Sequence, residues 1–227
     1  MRSFLLFYLL ASLFHSPLLA LLVVIAVAYL ADARWQGRWF DPRQLFSRQR
    51  AISDLRRTVA FNEHDAAAHN DLGRLLLEQG NHRAALPHLE RAIQRMSDSA
   101  ETNYTYGVCL LRMGRDEAGE HHIRRALEIH SRHLYGEPQV VLARHFLQRD
   151  NLAEARRWAE QAVKLNTSSI EGWVLLGRAA RELGDKDAAR KAFTSARDGY
   201  RQLPGYLRLP NRRWYVEAKR GLRSVGA

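Results

Sequence analysis

The sequence predicts an all-α protein: a solenoid of stacked helical hairpins with flanking cap helices, behind an N-terminal transmembrane segment. Three observations predict it. Small and large apolar residues recur every 34 positions through most of the chain. Residues 4–31 contain no Asp, Glu, Lys or Arg. Charge is balanced where the repeat is present and basic on either side of it.

The first element is the apolar run. Its 28 residues, as a helix, would reach about 42 Å, against about 30 Å for a hydrocarbon core. One tilted span fits. So does a short hairpin turning at His15-Ser16-Pro17, because Pro17 removes a backbone hydrogen bond in mid-run. A cleaved signal peptide fits less well, since its apolar core would be about half this length. Only Arg2 precedes the run, whereas Arg34, Arg38, Arg43, Arg48 and Arg50 follow it. That asymmetry places the C-terminal body on the cytoplasmic side of a bacterial inner membrane, whether the run is a span or a hairpin. Arg34, Trp35, Arg38, Trp39 and Phe40 read as the membrane interface, with indole rings at headgroup depth and arginines among the phosphates. In the alternative reading these aromatics pack on the first soluble helix.

The charge map excludes some functions. The net charge of +11 resolves into +5 over residues 1–60, +1 over residues 61–203 and +5 over residues 204–227. A nucleic-acid reader carries its basic stripe on the folded body. Basic flanks around a neutral body suit an anionic membrane surface better. Cys109 is the only cysteine, so no internal disulfide and no cysteine-based metal site can form. No GxSxG, P-loop, GxGxxG or HExxH motif is present, and no enzyme activity or cofactor is expected. His121 with His122, and His130 with His133, are read as solvated helix faces rather than metal ligands.

The repeats come next. Leu72-Gly73 and Tyr106-Gly107 are one period apart, as are Gly80 and Gly114, and Ala92 and Ala126. The same period links Ala143 to Gly177, Ala155 to Ala189 and Ala162 to Ala196. Between these two sets the register slips by two residues, across His133–Gly136. Small residues at such positions let two helices cross closely while the large ones fill the space beside them.

This register resembles the tetratricopeptide-repeat family. Four repeats follow, over residues 66–99, 100–133, 136–169 and 170–203, the last matching best through Trp173, Leu176, Gly177, Ala189, Phe193 and Ala196. Residues 1–33 are then the anchor and residues 34–65 a basic juxtamembrane linker and half-repeat, with Ala51, Leu55 and Phe61 as its apolar face. Residues 204–227 are a basic C-terminal cap. There Pro204-Gly205 and Pro210 are expected to break the chain before a helix over 212–223 that packs through Trp214, Val216 and Leu222. Departures from the pattern fall at repeat position 4, where His69 and Asn103 replace a bulky apolar residue, and at position 24, where Ala159 is small. These are expected to weaken individual repeats.

The resemblance implies a concave groove lined by the first helix of each repeat. At its inward positions stand Asn70, Arg74, Tyr104, Arg112, Arg144, Arg178 and Arg181. Guanidinium groups along a groove suit protein or peptide partners with acidic segments or a free C-terminus. Asn70 with Arg74 is a partial match to a two-residue carboxylate clamp. Glu78, Glu101, Glu137, Glu171 and Glu182 stand nearby. Two states therefore remain open: arginines free for an acidic ligand, or arginines paired internally in a groove that binds by shape and apolar contact. The function expected is a membrane-tethered scaffold or assembly factor. The alternative is a protein that binds nucleic acid or anionic lipid through its basic flanks.

Overall fold

The computed structural model describes residues 42–226, together with Leu18, Leu19, Leu21, Leu22, Val23 and Ile25. Most of the expected anchor and all five interface residues, Arg34, Trp35, Arg38, Trp39 and Phe40, lie outside the described residues. Among the described residues no helix is long and apolar enough to cross a membrane.

From residue 42 to residue 226, ten helices and one 3-10 turn follow in order: α1 (Pro42–Phe61), α2 (Ala66–Glu78), α3 (His82–Arg95), α4 (Ala100–Arg112), α5 (Asp116–Ile129), the turn (His133–Gly136), α6 (Glu137–Gln148), α7 (Leu152–Leu165), α8 (Ile170–Glu182), α9 (Lys186–Gln202) and α10 (Gly205–Gly226). Helices α2 to α9 form four hairpins in the expected register. Arg43–Leu203 and Pro210–Ala227 make one compact unit.

Local chemistry sets the helix ends. Asp65, Ser99 and Ser169 accept a hydrogen bond from a first-turn amide of α2, α4 and α8. Asn81, Asn151 and Asp185 do the same for α3, α7 and α9. Each such cap stabilises by about 1 kcal/mol. Helices α2, α4 and α8 end on Gly80, Gly114 and Gly184, all left-handed at φ between 77° and 81°. In the third repeat Asp150 takes that place at φ 58°.

Close crossings explain the small residues. A Cβ on Gly107 would stand 2.8 Å from the carbonyl oxygen of Gly119, backbone against backbone. A Cβ on Gly177 would stand 2.7 Å from the Phe193 ring, and one on Gly221 2.5 Å from the same ring. Phe193, fully buried, is therefore held between α8 and α10, and such burial contributes about 1.5–3 kcal/mol.

The departures at position 4 turn out to hold the hairpins together. His69 Nε2 donates to the Glu63 carbonyl at 3.1 Å, Asn103 Nδ2 to the Ser97 carbonyl at 2.8 Å and Trp173 Nε1 to the Thr167 carbonyl at 2.8 Å, each six residues back. Gln139 Nε2 reaches eight residues back, to the Ser131 carbonyl at 3.5 Å, because the inserted pair lies between them. Four unlike side chains thus supply one N–H to the same inter-repeat carbonyl. At position 24 the small Ala159 is compensated by its neighbour Trp158, 6% exposed in the same apolar cluster.

Several expectations at the edges are corrected. Phe61 is 96% exposed, at the very end of α1; Ile52 is buried, and Leu55 and Val59 pack beside it. Pro210 does not break the last helix, which runs from Gly205 to Gly226. Like Pro87 in α3, it stands sixth in its helix and removes a single hydrogen bond near the N-terminal end. Val216 is 37% exposed; Ala218, Gly221 and Val225 face inward instead, with Trp214 and Leu222 beside them. Cys109 is fully buried, and burial pushes its thiol up to about 11.

Candidate functional site

The first helices of repeats one to three present two adjoining cavities. One, of about 670 Å³, lies over α2 and α4 and is lined by Arg74, Leu77, Tyr104, Val108 and Arg112, with Leu134 from the 3-10 turn. The other, of about 420 Å³, lies over α4 and α6 and is lined by Tyr104, Val108, Arg112 and Arg144 among others. Tyr104, Val108 and Arg112 are common to both, so α4 is the shared wall. Helical spacing puts these three on one face, at i, i+4 and i+8.

The two-residue insertion shapes the larger cavity. Leu134 and Tyr135 adopt left-handed backbone at φ 47° and 48°, and both side chains are exposed, at 47% and 76%. Neither is a glycine, and this conformation costs each about 1–2 kcal/mol. Beneath the turn, the Tyr104 and His133 rings meet edge to face at 5.6 Å. His133 Nε2 comes within 3.3 Å of the Glu101 carboxylate, at ion-pair distance but at an angle that makes no hydrogen bond. Burial holds the His133 imidazole below its ordinary range, against the pull of Glu101.

Electrostatics divide the arginines. Arg74 pairs with Glu78 at 2.9 Å and Asp71 at 3.6 Å. Arg144 binds Glu171 through two nitrogens, with Nε at 2.8 Å. Arg178 pairs with Glu217 at 3.3 Å, and Arg181 with Glu182 at 2.6 Å. Arg112 alone of the five expected groove arginines has no carboxylate within ion-pair reach among the described residues. Glu137 keeps an accessible surface but stands among protein atoms on this face. That partial burial, reinforced by Glu171 and opposed by Arg144, raises its carboxyl above the usual range. Burial also raises the Tyr104 hydroxyl, leaving it a neutral donor and acceptor.

The expected residues therefore do not form one stripe. Arg74, Tyr104 and Arg112 meet in the larger cavity, and Tyr104, Arg112 and Arg144 in the smaller. Asn70 is 6% exposed, lines neither cavity and has no hydrogen-bond partner for its Oδ1. With Arg74 turned onto its own helix, the Asn70–Arg74 pair presents no carboxylate clamp. Arg178 and Arg181 line a third cavity with residues of α10. Leu134 was missed by the sequence reading, although the register slip marked its place. Among the described residues no cluster of three His, Cys, Asp or Glu could hold a metal ion.

Comparison with known proteins agrees with this architecture. Tetratricopeptide-repeat family models match residues 76–135 in one case and residues 47–101 and 140–205 in another. The structure is similar to that of MamA, at TM-score 0.63 and 18% identity over 72% of this chain and 97% of that one. It is similar to YrrB, described as a repeat protein with an unusual peptide-binding site, at TM-score 0.55 and 17% identity over 75% and 90%. It is also similar to a thermophilic repeat protein from Thermus thermophilus, at TM-score 0.58 and 17% identity over 78% and 94%. At these identities the likeness is one of fold. No curated protein matches the sequence. With the repeat register, the helical hairpins and family matches spanning most of residues 47–205 in agreement, the chain belongs to the tetratricopeptide-repeat family.

Proposed function

We propose that this chain is a membrane-tethered scaffold or assembly factor whose concave face takes up a segment of a protein partner, with no catalysis of its own. The observation that carries the reading is the cavity over α2 and α4. It combines apolar lining from Leu77, Val108 and Leu134 with Arg112, whose guanidinium has no carboxylate within ion-pair reach among the described residues, while Arg74, Glu78 and Glu101 also line it. A recess that joins apolar lining to fixed polar groups is a usual form of a binding site. Strained backbone at Leu134 and Tyr135 supports it, since such strain gathers where a side chain must be held for a ligand. The family in general mediates protein–protein contact.

The tether rests on residues 4–31 and on the arginines that follow them. It gives a bacterial inner-membrane location with the repeats on the cytoplasmic side, and it raises the effective concentration of groove and membrane partner for each other. A photo-crosslinking residue at Val108 in intact cells tests the groove. The same adduct should form with the native chain and disappear with Leu134→Asp, whose circular dichroism stays unchanged. An adduct indifferent to Leu134→Asp removes the reading. A C-terminal reporter that is active only outside the cytoplasm would reverse the assigned side.

A further inference from the structure

We infer that the C-terminal end of the solenoid carries a second binding site, built jointly by α8 and α10, for an acidic peptide segment with several consecutive carboxylates. The site is independent of the groove over α2 and α4, shares no lining residue with it, and is absent from the family register because α10 lies beyond the last repeat.

A cavity of about 670 Å³ opens between α8, α9 and the second half of α10. Five guanidinium groups line it: Arg178 and Arg181 from α8, and Arg212, Arg213 and Arg220 from α10. Glu217 is the single carboxylate in the lining, and it is occupied by Arg178 at 3.3 Å. Arg181 is satisfied by Glu182 at 2.6 Å and reaches Ser224 Oγ at 3.5 Å. On α10 the balance is different. Arg213 lies over the Trp214 ring at 4.3 Å, a contact that leaves its N–H edge available. Arg212 and Arg220 have no carboxylate within ion-pair reach among the described residues, and both are exposed.

The fold holds these groups together at close range. Gly221 lets α10 approach until its backbone meets the Phe193 ring, which brings the adjacent Arg220 over the cavity; any Cβ there would stand 2.5 Å from that ring. Arg212, Val216 and Arg220 recur at i, i+4 and i+8, along one face of the helix. Arg190 ties the far end of α10 to α9 by donating to the Val225 carbonyl at 3.1 Å. Concentrating like charge in this way is unfavourable without an anion, and forked guanidinium groups match carboxylates two at a time. A recess bounded by three helices, with exposed arginines along one of them, admits an extended acidic chain.

The test uses the full-length chain in zwitterionic detergent micelles with fluorescein-labelled hexaglutamate as the probe, read by anisotropy. Binding should appear, weaken steeply with salt, and weaken about tenfold or more in the Arg212→Glu/Arg213→Glu/Arg220→Glu variant. A charge-matched control, Arg91→Glu/Arg95→Glu/Arg132→Glu, should bind like the native chain. Single substitutions Arg212→Glu and Arg220→Glu should each give a partial loss, which keeps the test decisive if the triple variant unfolds. Equal losses in the triple variant and the charge-matched control would reduce the effect to net charge and overturn the proposal. So would displacement of the probe by anionic lipid in the micelle at lower charge concentration than by unlabelled hexaglutamate, which would assign the arginines to a membrane surface.

Discussion

Repeats one and two differ from repeats three and four in how they fill the same two positions. In the first pair, position 4 and position 23 hold polar partners. His69 Nδ1 accepts from His88 Nδ1 at 2.9 Å, and Asn103 Oδ1 accepts from His122 Nδ1 at 3.0 Å. The tautomers follow from the carbonyl that His69 Nε2 must donate to, which leaves its Nδ1 as an acceptor. In the second pair the positions hold Gln139 with Trp158 and Trp173 with Ala192, and bulk replaces the side-chain hydrogen bond. All four keep the N–H to the inter-repeat carbonyl. The lesson is that the junction carbonyl is the invariant demand and the filling around it is negotiable. Only the first solution is sensitive to pH.

The largest effect expected is where backbone crosses backbone most closely. Gly107→Ala sets a methyl group against the Gly119 carbonyl and should destabilise by about 3 kcal/mol. Gly73→Ala meets the Leu89 side chain at Cγ and Cδ2, which can shift more readily than backbone, and should cost about 1 kcal/mol. Urea melts compare the two directly, and equal costs would show that the repeats share one crossing geometry.

Next comes the junction itself. Asn103→Leu restores the apolar residue usual in the family, yet it should destabilise by about 1–3 kcal/mol, because the Ser97 carbonyl and the His122 ring lose their partner. Gln139→Leu, whose bond is 3.5 Å long, should cost less. A stabilised Asn103→Leu variant would refute the role assigned to position 4.

The pH dependence is smaller; His88 and His122 at position 23 contribute to it, beside His133 and His145, which burial also holds low. Burial is the first cause holding the His88 and His122 imidazoles below their ordinary value of 6.5, with neighbouring histidines adding to it. The unfolded chain then binds more protons in the window from the depressed folded values up to 6.5, so stability rises with pH through that window and falls on acidification. Thermal melts from pH 7.5 down to 5.5 should show a falling Tm. The His88→Phe/His122→Phe variant should show a shallower slope, and an unchanged slope would place the titration elsewhere.

Much of this was legible in the sequence because a repeat writes its packing into local spacing. The crossings at Gly73, Gly107 and Gly177, the left-handed ends at Gly80, Gly114 and Gly184, and the register slip were all readable as distances along the chain. The same holds for Arg74 with Glu78, which are neighbours at i, i+4. What escaped depended on conformation rather than spacing. The slip was visible, but not that Leu134 and Tyr135 would turn left-handed and bring Leu134 to the cavity. Arg178 with Glu217 joins a repeat to a helix outside the register, and Pro210 looked like a break because its place in the helix was unknown. Asn70 was expected to face the groove; helix packing buries it.

The central claim is that Arg112 is the guanidinium available to a partner while Arg74, beside it, is already neutralised by Glu78 and Asp71. The most direct measurement compares the yield of the Val108 crosslink in Arg112→Gln and Arg74→Gln chains expressed at equal level. Arg112→Gln should lower the yield about tenfold, the loss of one charge-assisted contact, and Arg74→Gln should leave it within about twofold. Equal losses, or a larger loss with Arg74→Gln, would contradict the account.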